Sequence, residues 1–340
     1  MQLNMFSESR RLEKISKLGD SLEQLKEIID FEIFRKPIKQ ALYRVPKGAG
    51  GRPSYDEVKM FKILVLQRMY NLSDDEMEYQ LNDRMSFCRF VGLRLGDEIP
   101  DSKTIWLFRD NLTKSGVIEK LFAIFNNKLE EAHLITRAGS IVDATFVEAP
   151  KQRNNREENK KIKENEIPEE WTKQPNKLRQ KDVDAKWTIK NNERHYGYKN
   201  HVKSDSESKL IISYTVTPAN VHDSQELPKL VDEKDRAIYA DSAYSGETIA
   251  QQLPPNVENR IHEKGYRNKP LTEEQKLSNK CKTKVRCRSE HIFGFMENKF
   301  KGLTVRSIGL QRAEFNIGLT NLLYNMFRYI FLRKNPSFVG

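Results

Sequence analysis

Three carboxylates in this 340-residue chain have the types and order that metal-dependent phosphoryl transfer uses: Asp143, Asp241 and Glu290. Asp143 lies inside the otherwise apolar run IVDATFV. A carboxylate there is costly unless it is paired, bound to metal or at an exposed strand end. Asp241 follows AIYA, which puts it at the carboxyl end of a strand, where open α/β sheets place their ligands. Glu290, in VRCRSEHIFGFMENKF, has Arg286 four residues before it on a helix, and Glu297 two turns on is the alternative third acid. Each residue also has a plain structural reading. Asp143 can bond a backbone turn, Asp241 can cap a helix or form a turn, and Glu290 can pair with Arg286 on the surface. Together, two strand-borne aspartates and a helix-borne glutamate can converge at one edge of a mixed sheet. Three hard oxygen donors suit Mg²⁺ or Mn²⁺, and two such ions would activate a water and stabilise a leaving 3′ oxygen.

Basic residues supply the complementary charge. The chain has 59 Lys+Arg against 48 Asp+Glu, a net charge of +11, which points to a polyanionic partner: nucleic acid first, an anionic membrane surface second. The run from Lys264 to Arg288 holds nine basic and two acidic residues and lies directly before Glu290, so Lys280, Lys282, Lys284, Arg286 and Arg288 are expected to contact DNA phosphates. Lys199 shares one strand face with His195 and His201, a face that either contacts phosphate or is simply half-buried and polar. Asp223 rivals Asp241 as a ligand, but it precedes Ser224 and a helix and is expected to serve as that helix's cap. Trp171 and Trp187 either stack on unpaired bases or anchor their segment. Three cysteines, Cys88, Cys281 and Cys287, form neither a disulfide framework nor a CxxC pair, which fits a reducing cytosol. MQLNMFSESRRLEK has no apolar run suited to a signal peptide. The most apolar stretch, from Phe315 to Leu332, contains Asn316, Asn321, Asn325 and Arg328, so it reads as a buried helix and not a membrane span.

The elements that must position these groups fall into two parts. Residues 1–135 read as an all-helical N-terminal domain. Leu22, Leu25, Ile28 and Ile29 recur at helix spacing, Ser54 with Glu57 and Ser73 with Glu76 make capping-box signals, and two helices between Pro100 and Leu134 break near Ser115-Gly116. This head is either a DNA-binding module or a plain helical bundle. Residues 136–335 then supply strands in IVDATFVEA, HYGYKNHVKSD, KLIISYTVTPAN, RAIYADSAY and NRIHEKG. Helices are expected over Gln225 to Asp232, Gly246 to Leu253, Arg286 to Phe300 and Gln311 to Leu332. Residues 151–194, with 13 basic and nine acidic residues, read as a solvated, partly mobile insertion. The fold class is α+β or α/β, a mixed sheet flanked by helices behind a helical head.

At these residues the sequence resembles bacterial insertion-sequence transposases of the DDE class, most similarly the insertion sequence 5 branch. The resemblance runs through most of the chain. In the head it rests on IDFEIFR, GRPSYDEVKMFKILVLQ and IPDSKTIWLFRDNL; beyond it, on IVDATFVEAP, DVDAKWT, HYGYKNHV, TPANVHDSQ, YADSAYSG and RSEHIFGFM. It implies a ribonuclease-H-like catalytic fold with Asp143, Asp241 and Glu290 as the metal-binding triad, holding Mg²⁺ or Mn²⁺ as two ions per site. Arg286 fits the arginine expected four residues before the glutamate. Thr283 stands where a tyrosine is expected, and Glu297 where a lysine is expected, with Lys299 near it. The implied activity is binding of the element's terminal inverted repeats, cleavage and strand transfer. It would be performed by a homodimer or larger assembly on DNA, in the bacterial cytoplasm at the nucleoid. The alternatives are a non-catalytic DNA-binding descendant and a nuclease of the same fold.

Overall fold

In the computed structural model the described residues are 5–43, 53–94 and 96–335, with the side chains of 5–9, Glu247 and Thr248 left aside. Gly51 and Arg52, which open one head motif, lie outside the described residues, as do the first four residues of the N-terminal run. The N-terminal part consists of α1 (Met5–Lys17), α2 (Ser21–Ile28), α3 (Arg35–Leu42), α4 (Glu57–Tyr70), α5 (Asp74–Asp83), α6 (Met85–Val91), α7 (Ser102–Ser115) and α8 (Val117–Glu131). Capping chemistry sets several of these ends. Ser73 Oγ accepts from the Glu76 amide at 3.1 Å, as its spacing predicts. The cap of α4 is Asp56 and not Ser54: its carboxylate accepts from the Val58 and Lys59 amides at 3.0 and 2.9 Å. An ionised acceptor at that position outcompetes a hydroxyl two residues earlier. Gly116, at φ +63°, breaks α7 from α8 in the left-handed region.

The sheet begins with β1 (Ser140–Glu148) and continues with β2 (Lys186–Lys190), β3 (Glu193–Asp205), β4 (Ile211–Pro218), β5 (Ala237–Tyr239) and β6 (Glu258–Asn259). It is mixed. β3 pairs antiparallel with β1 along one edge, while its other edge pairs first with β2 and then with β4. β1, β5 and β6 run parallel. The switch from β2 to β4 falls at Gly197, whose φ is +145°; a Cβ there would lie 2.3 Å from the Val147 carbonyl oxygen, so only glycine fits. The remaining helices are α9 (Arg156–Lys163), α10 (Glu169–Thr172), α11 (Pro175–Leu178), α12 (Leu227–Leu230), α13 (Glu247–Gln252), α14 (Glu273–Arg286), α15 (Arg288–Lys299) and α16 (Leu310–Lys334).

One expectation changes here. The insertion is folded: Trp171 on α10 is fully buried, donates from Nε1 to Glu158 Oε1 of α9 at 2.8 Å and lies under Lys177 of α11 and Lys181. One large aromatic ring is enough to close a small satellite core within an otherwise polar segment. Trp171 is therefore an anchor, whereas Trp187 stays half-exposed against Tyr196. The basic run is largely helical, because Thr272 and Gln275 form a reciprocal capping box that opens α14.

α16 is buried on nearly every side, and its asparagines are satisfied inside the protein. Asn325 Oδ1 accepts from the Ile211 amide and its Nδ2 donates to Asn126 Oδ1, both at 2.8 Å. Asn321 and Asn200 bond each other reciprocally at 2.8 and 3.1 Å. One apolar cluster joins head residues such as Phe61, Leu66, Phe87 and Phe125 to Val202, Ile211, Ile292, Phe315 and Leu322. The head is thus packed onto α16, β3 and β4 through a common core. Among the described residues no helix is long and apolar enough to cross a membrane.

Candidate active site

β1 and β5 place the two aspartates. Their parallel register pairs Ser140 with Ile238 and Ile141 with Tyr239, so continuing it by two residues sets Asp143 beside Asp241. Val142, Ile238 and Ala240 are buried among Leu227, Leu230 and Tyr244, which fixes both strands from the α12 side. By alternation Asp143 faces away from Val142, toward α15.

Asp143 is half-buried and held at both oxygens. Oδ1 accepts from the Ala144 amide at 2.9 Å, and Oδ2 accepts from Ser289 Oγ at 2.6 Å. Burial pushes this carboxyl above its ordinary range and the Asp241 charge adds to that, while Ser289, the Ala144 amide and Arg286 oppose it. Asp241 Oδ1 accepts from the Ala243 amide at 2.8 Å and caps the short 3₁₀ turn Ser242–Tyr244. It therefore has the capping role open to it in the sequence as well as its place beside Asp143. Tyr244 is buried behind the pair, with a hydroxyl that has no hydrogen-bond partner among the described residues. Burial and the nearby Asp223, Asp143 and Asp241 push that hydroxyl well above its ordinary range.

Glu290 sits on the first turn of α15 and is largely exposed. Arg286 spans the gap: Nη1 lies 3.6 Å from Asp143 Oδ2 and Nη2 lies 3.5 Å from Glu290 Oε1. The alternative acid, Glu297, is exposed two turns further along α15. Among the described residues no three His, Cys, Asp or Glu side chains are grouped closely enough to hold a metal ion. The donor chemistry nonetheless fits Mg²⁺ or Mn²⁺. The oxygens are carboxylate, the Cys287 thiol donates instead to the Lys284 carbonyl, and a guanidinium already serves as the cation between Asp143 and Glu290.

The predicted phosphate contacts divide. Lys280 and Lys284 project from α14 and are exposed. Lys282 instead donates to the Ile261 carbonyl at 3.0 Å and pairs with Glu263 at 3.4 Å, tying α14 to the segment after β6. Arg286 lies between the acids, and Arg288 donates to the Ser206 carbonyl. Lys199 is a correction: it is buried, donating to Asp223 Oδ1 and the Val221 carbonyl, each at 2.7 Å. Asp223 is accordingly not the cap of its turn. His222 Nδ1 accepts from the Ser224 amide, leaving the Asp223 carboxylate for Lys199. Lys299 stands over the Phe327 ring, 5.0 Å from its centre, and Thr283 bonds within α14 and to His262. Ser289, which holds Asp143, was not legible in the sequence beyond its place immediately before Glu290 in RSEH.

Known families match along this same chain. Residues 10–111 match the family described as Transposase domain (DUF772). A solved piggyBac transposase synaptic complex with hairpin DNA is similar at 14% identity and a TM-score of 0.46, over 93% of this chain and 75% of that one. Residues 136–326 match the family described as Transposase DDE domain, a span that exceeds half of the 340 residues and includes Asp143, Asp241 and Glu290; the chain belongs to that transposase family.

Proposed function

We propose that the chain is an active transposase of the insertion sequence 5 branch, with a ribonuclease-H-like catalytic fold. It binds the terminal inverted repeats of its element, cuts the DNA and joins the 3′-OH ends to a target, as a homodimer or larger assembly at the bacterial nucleoid. The carrying observation is the parallel register of β1 and β5 that sets Asp143 beside Asp241, with Arg286 linking Asp143 to Glu290. Asp143, Asp241 and Glu290 would hold Mg²⁺ or Mn²⁺. When bound, that cation supplies Lewis-acid stabilisation for an in-line displacement at phosphorus by water or a 3′-OH, both oxygen nucleophiles suited to one site. Ser289 and the Ala144 amide hold the Asp143 carboxyl in place and oppose the upward pull of burial on it. The Ala243 amide fixes one oxygen of Asp241. Lys280 and Lys284 line the approach with positive charge, and the helical head contributes to recognising the element's ends.

The test is nicking of a duplex carrying the element's end in Mg²⁺. Asp143→Asn, Asp241→Asn and Glu290→Gln should each abolish nicking with DNA binding retained, and Glu297→Gln should stay active. Nicking by the Glu290→Gln protein with a dead Glu297→Gln protein would move the third ligand. Binding without nicking by the unaltered protein would identify a non-catalytic descendant. Equal nicking of a scrambled duplex would identify a nuclease.

A further inference from the structure

Away from the acid site, a cleft of about 540 Å³ opens where the head, the insertion and the segment before α16 meet. No residue of the acid site lines it. Five arginines do: Arg68 from α4, Arg109 from α7, Arg179 after α11, Arg306 before α16, and Arg312 from α16. Only two carboxylates, Asp74 and Asp110, face them. Both are already engaged. Asp74 forms a two-pronged pair with Arg109 at 2.6 and 2.8 Å, and Asp110 pairs with Lys114 at 2.6 Å and Arg312 at 3.0 Å. The other three arginines have no carboxylate within 4.0 Å among the described residues. Arg179 and Arg306 are exposed, and among the described residues Arg306 bonds only Asn71, through its backbone and side-chain oxygens.

Arg68 is the telling member. Its side chain is buried, and among the described residues it donates only to neutral oxygens: Thr320 Oγ1 at 2.6 Å, the Gly302 carbonyl at 3.1 Å and the Phe300 carbonyl at 3.5 Å. Burial pushes its guanidinium down to about 10, so it remains a cation at neutral pH. A buried cation without a counter-ion is costly, and an anion entering the cleft would compensate it. Guanidinium groups match phosphate geometrically, and the cleft is polar and wide enough for a stretch of backbone.

The cleft is also within reach of a duplex held at the acids. Thr304 on its wall bridges Glu148 at the far end of β1, five residues from Asp143. That is about 17 Å of strand at about 3.3 Å per residue, or about five base-pair steps of about 3.4 Å. The shared core of the head, β3, β4 and α16 holds the walls in place.

We infer that this cleft is a DNA-backbone docking site, in which Arg179 and Arg306 take phosphates of the duplex engaged at Asp143 and Asp241. This deepens the transposase reading and rests on it. The site positions DNA without reading bases, so it serves end and scrambled sequences alike.

The experiment is binding of a labelled duplex by the full chain across a salt series, in chelator so that no cleavage intervenes. Each phosphate contact contributes about 0.9 to the slope of log K against log salt, and so about fivefold in affinity at 0.15 M. Arg179→Gln/Arg306→Gln should therefore lower the slope by about 1.8 and weaken binding about thirtyfold, for both sequences. Trp106, half-exposed on the cleft wall, gives a second reading: duplex binding should change its fluorescence, and Trp106→Phe should remove that change. An unchanged slope in the double variant overturns the inference while leaving the transposase reading intact. Calorimetric binding of inorganic pyrophosphate with that same unchanged DNA slope overturns it in favour of a small-anion site. Failure of the unaltered protein to bind any duplex overturns both.

Discussion

Replacing Lys203 tests whether a buried ion network fixes the spacing of the two aspartates. Lys203 on β3 is fully buried, opposite Val142 of β1. Its Nζ donates to Asp235 Oδ2 at 2.8 Å and Asp232 Oδ2 at 3.0 Å, in the turn that leads into β5. Asp235, also fully buried, accepts from Ser140 Oγ at 2.7 Å at the start of β1. The network thus clamps the ends of β1, β3 and β5 together, upstream of Asp143 and Asp241. Lys203→Met leaves the Asp235 charge buried. Removing one partner of such a pair costs about 3–5 kcal/mol. Asp235 keeps its bonds from Ser140 and the Asp232 amide, and Arg137 stands 4.0 Å away, so the lower end applies, about 3 kcal/mol. At about 2–4 °C per kcal/mol, the melting temperature should fall by roughly 6–12 °C. Most of that cost comes from the stranded charge, so Lys203→Met/Asp235→Asn should recover at least half of it. Thermal unfolding of the two variants at neutral pH measures both quantities. A single-variant loss under about 1 kcal/mol, or a double variant as unstable as the sum of the two singles, would refute the clamp.

Two further outcomes follow from buried groups. Trp171→Ala should cost about 3–5 kcal/mol locally. Hydrogen exchange should then lose protection over residues 156–181 and not in β1, and unchanged protection there would mean that other contacts hold the insertion. His201 is fully buried, bonded at Nε2 to Thr217 at 2.8 Å, and burial pushes it down to about 4. Between about pH 6.5 and pH 4 the unfolded chain therefore binds a proton that the folded chain does not, so stability falls as pH drops through that window. Urea unfolding at about pH 5 and about pH 7 should show a smaller difference in His201→Gln, and an unaltered difference would assign the effect to other groups.

The strands bearing Asp143 and Asp241 were legible because β-branched runs and the apolar residues flanking an acid are local signals. IVDATFV and AIYADSAY each announce a strand and the residue that departs from it. The buried helix α16 was legible for the same reason, its asparagines marking it as packed within protein and not lipid. The partners of charged groups were not. Nothing near Lys199 in sequence indicates that Asp223, 24 residues on, would neutralise it, or that Lys282 would bond Glu263, 19 residues before it. Ion pairs join residues that folding brings together, and charge acts through space and not along the chain. The insertion was misread for a related reason. Its composition is polar on average, while its few buried residues, Trp171 and Ile162 among them, are spread singly along it. The arginine cleft draws its five members from residues 68 to 312, so no window of the sequence contains it. The sequence alone determined which elements carry the three candidate acids, two strands and a helix. Only the tertiary structure decided which cations remain free to meet DNA, because that depends on which of them the fold has already paired.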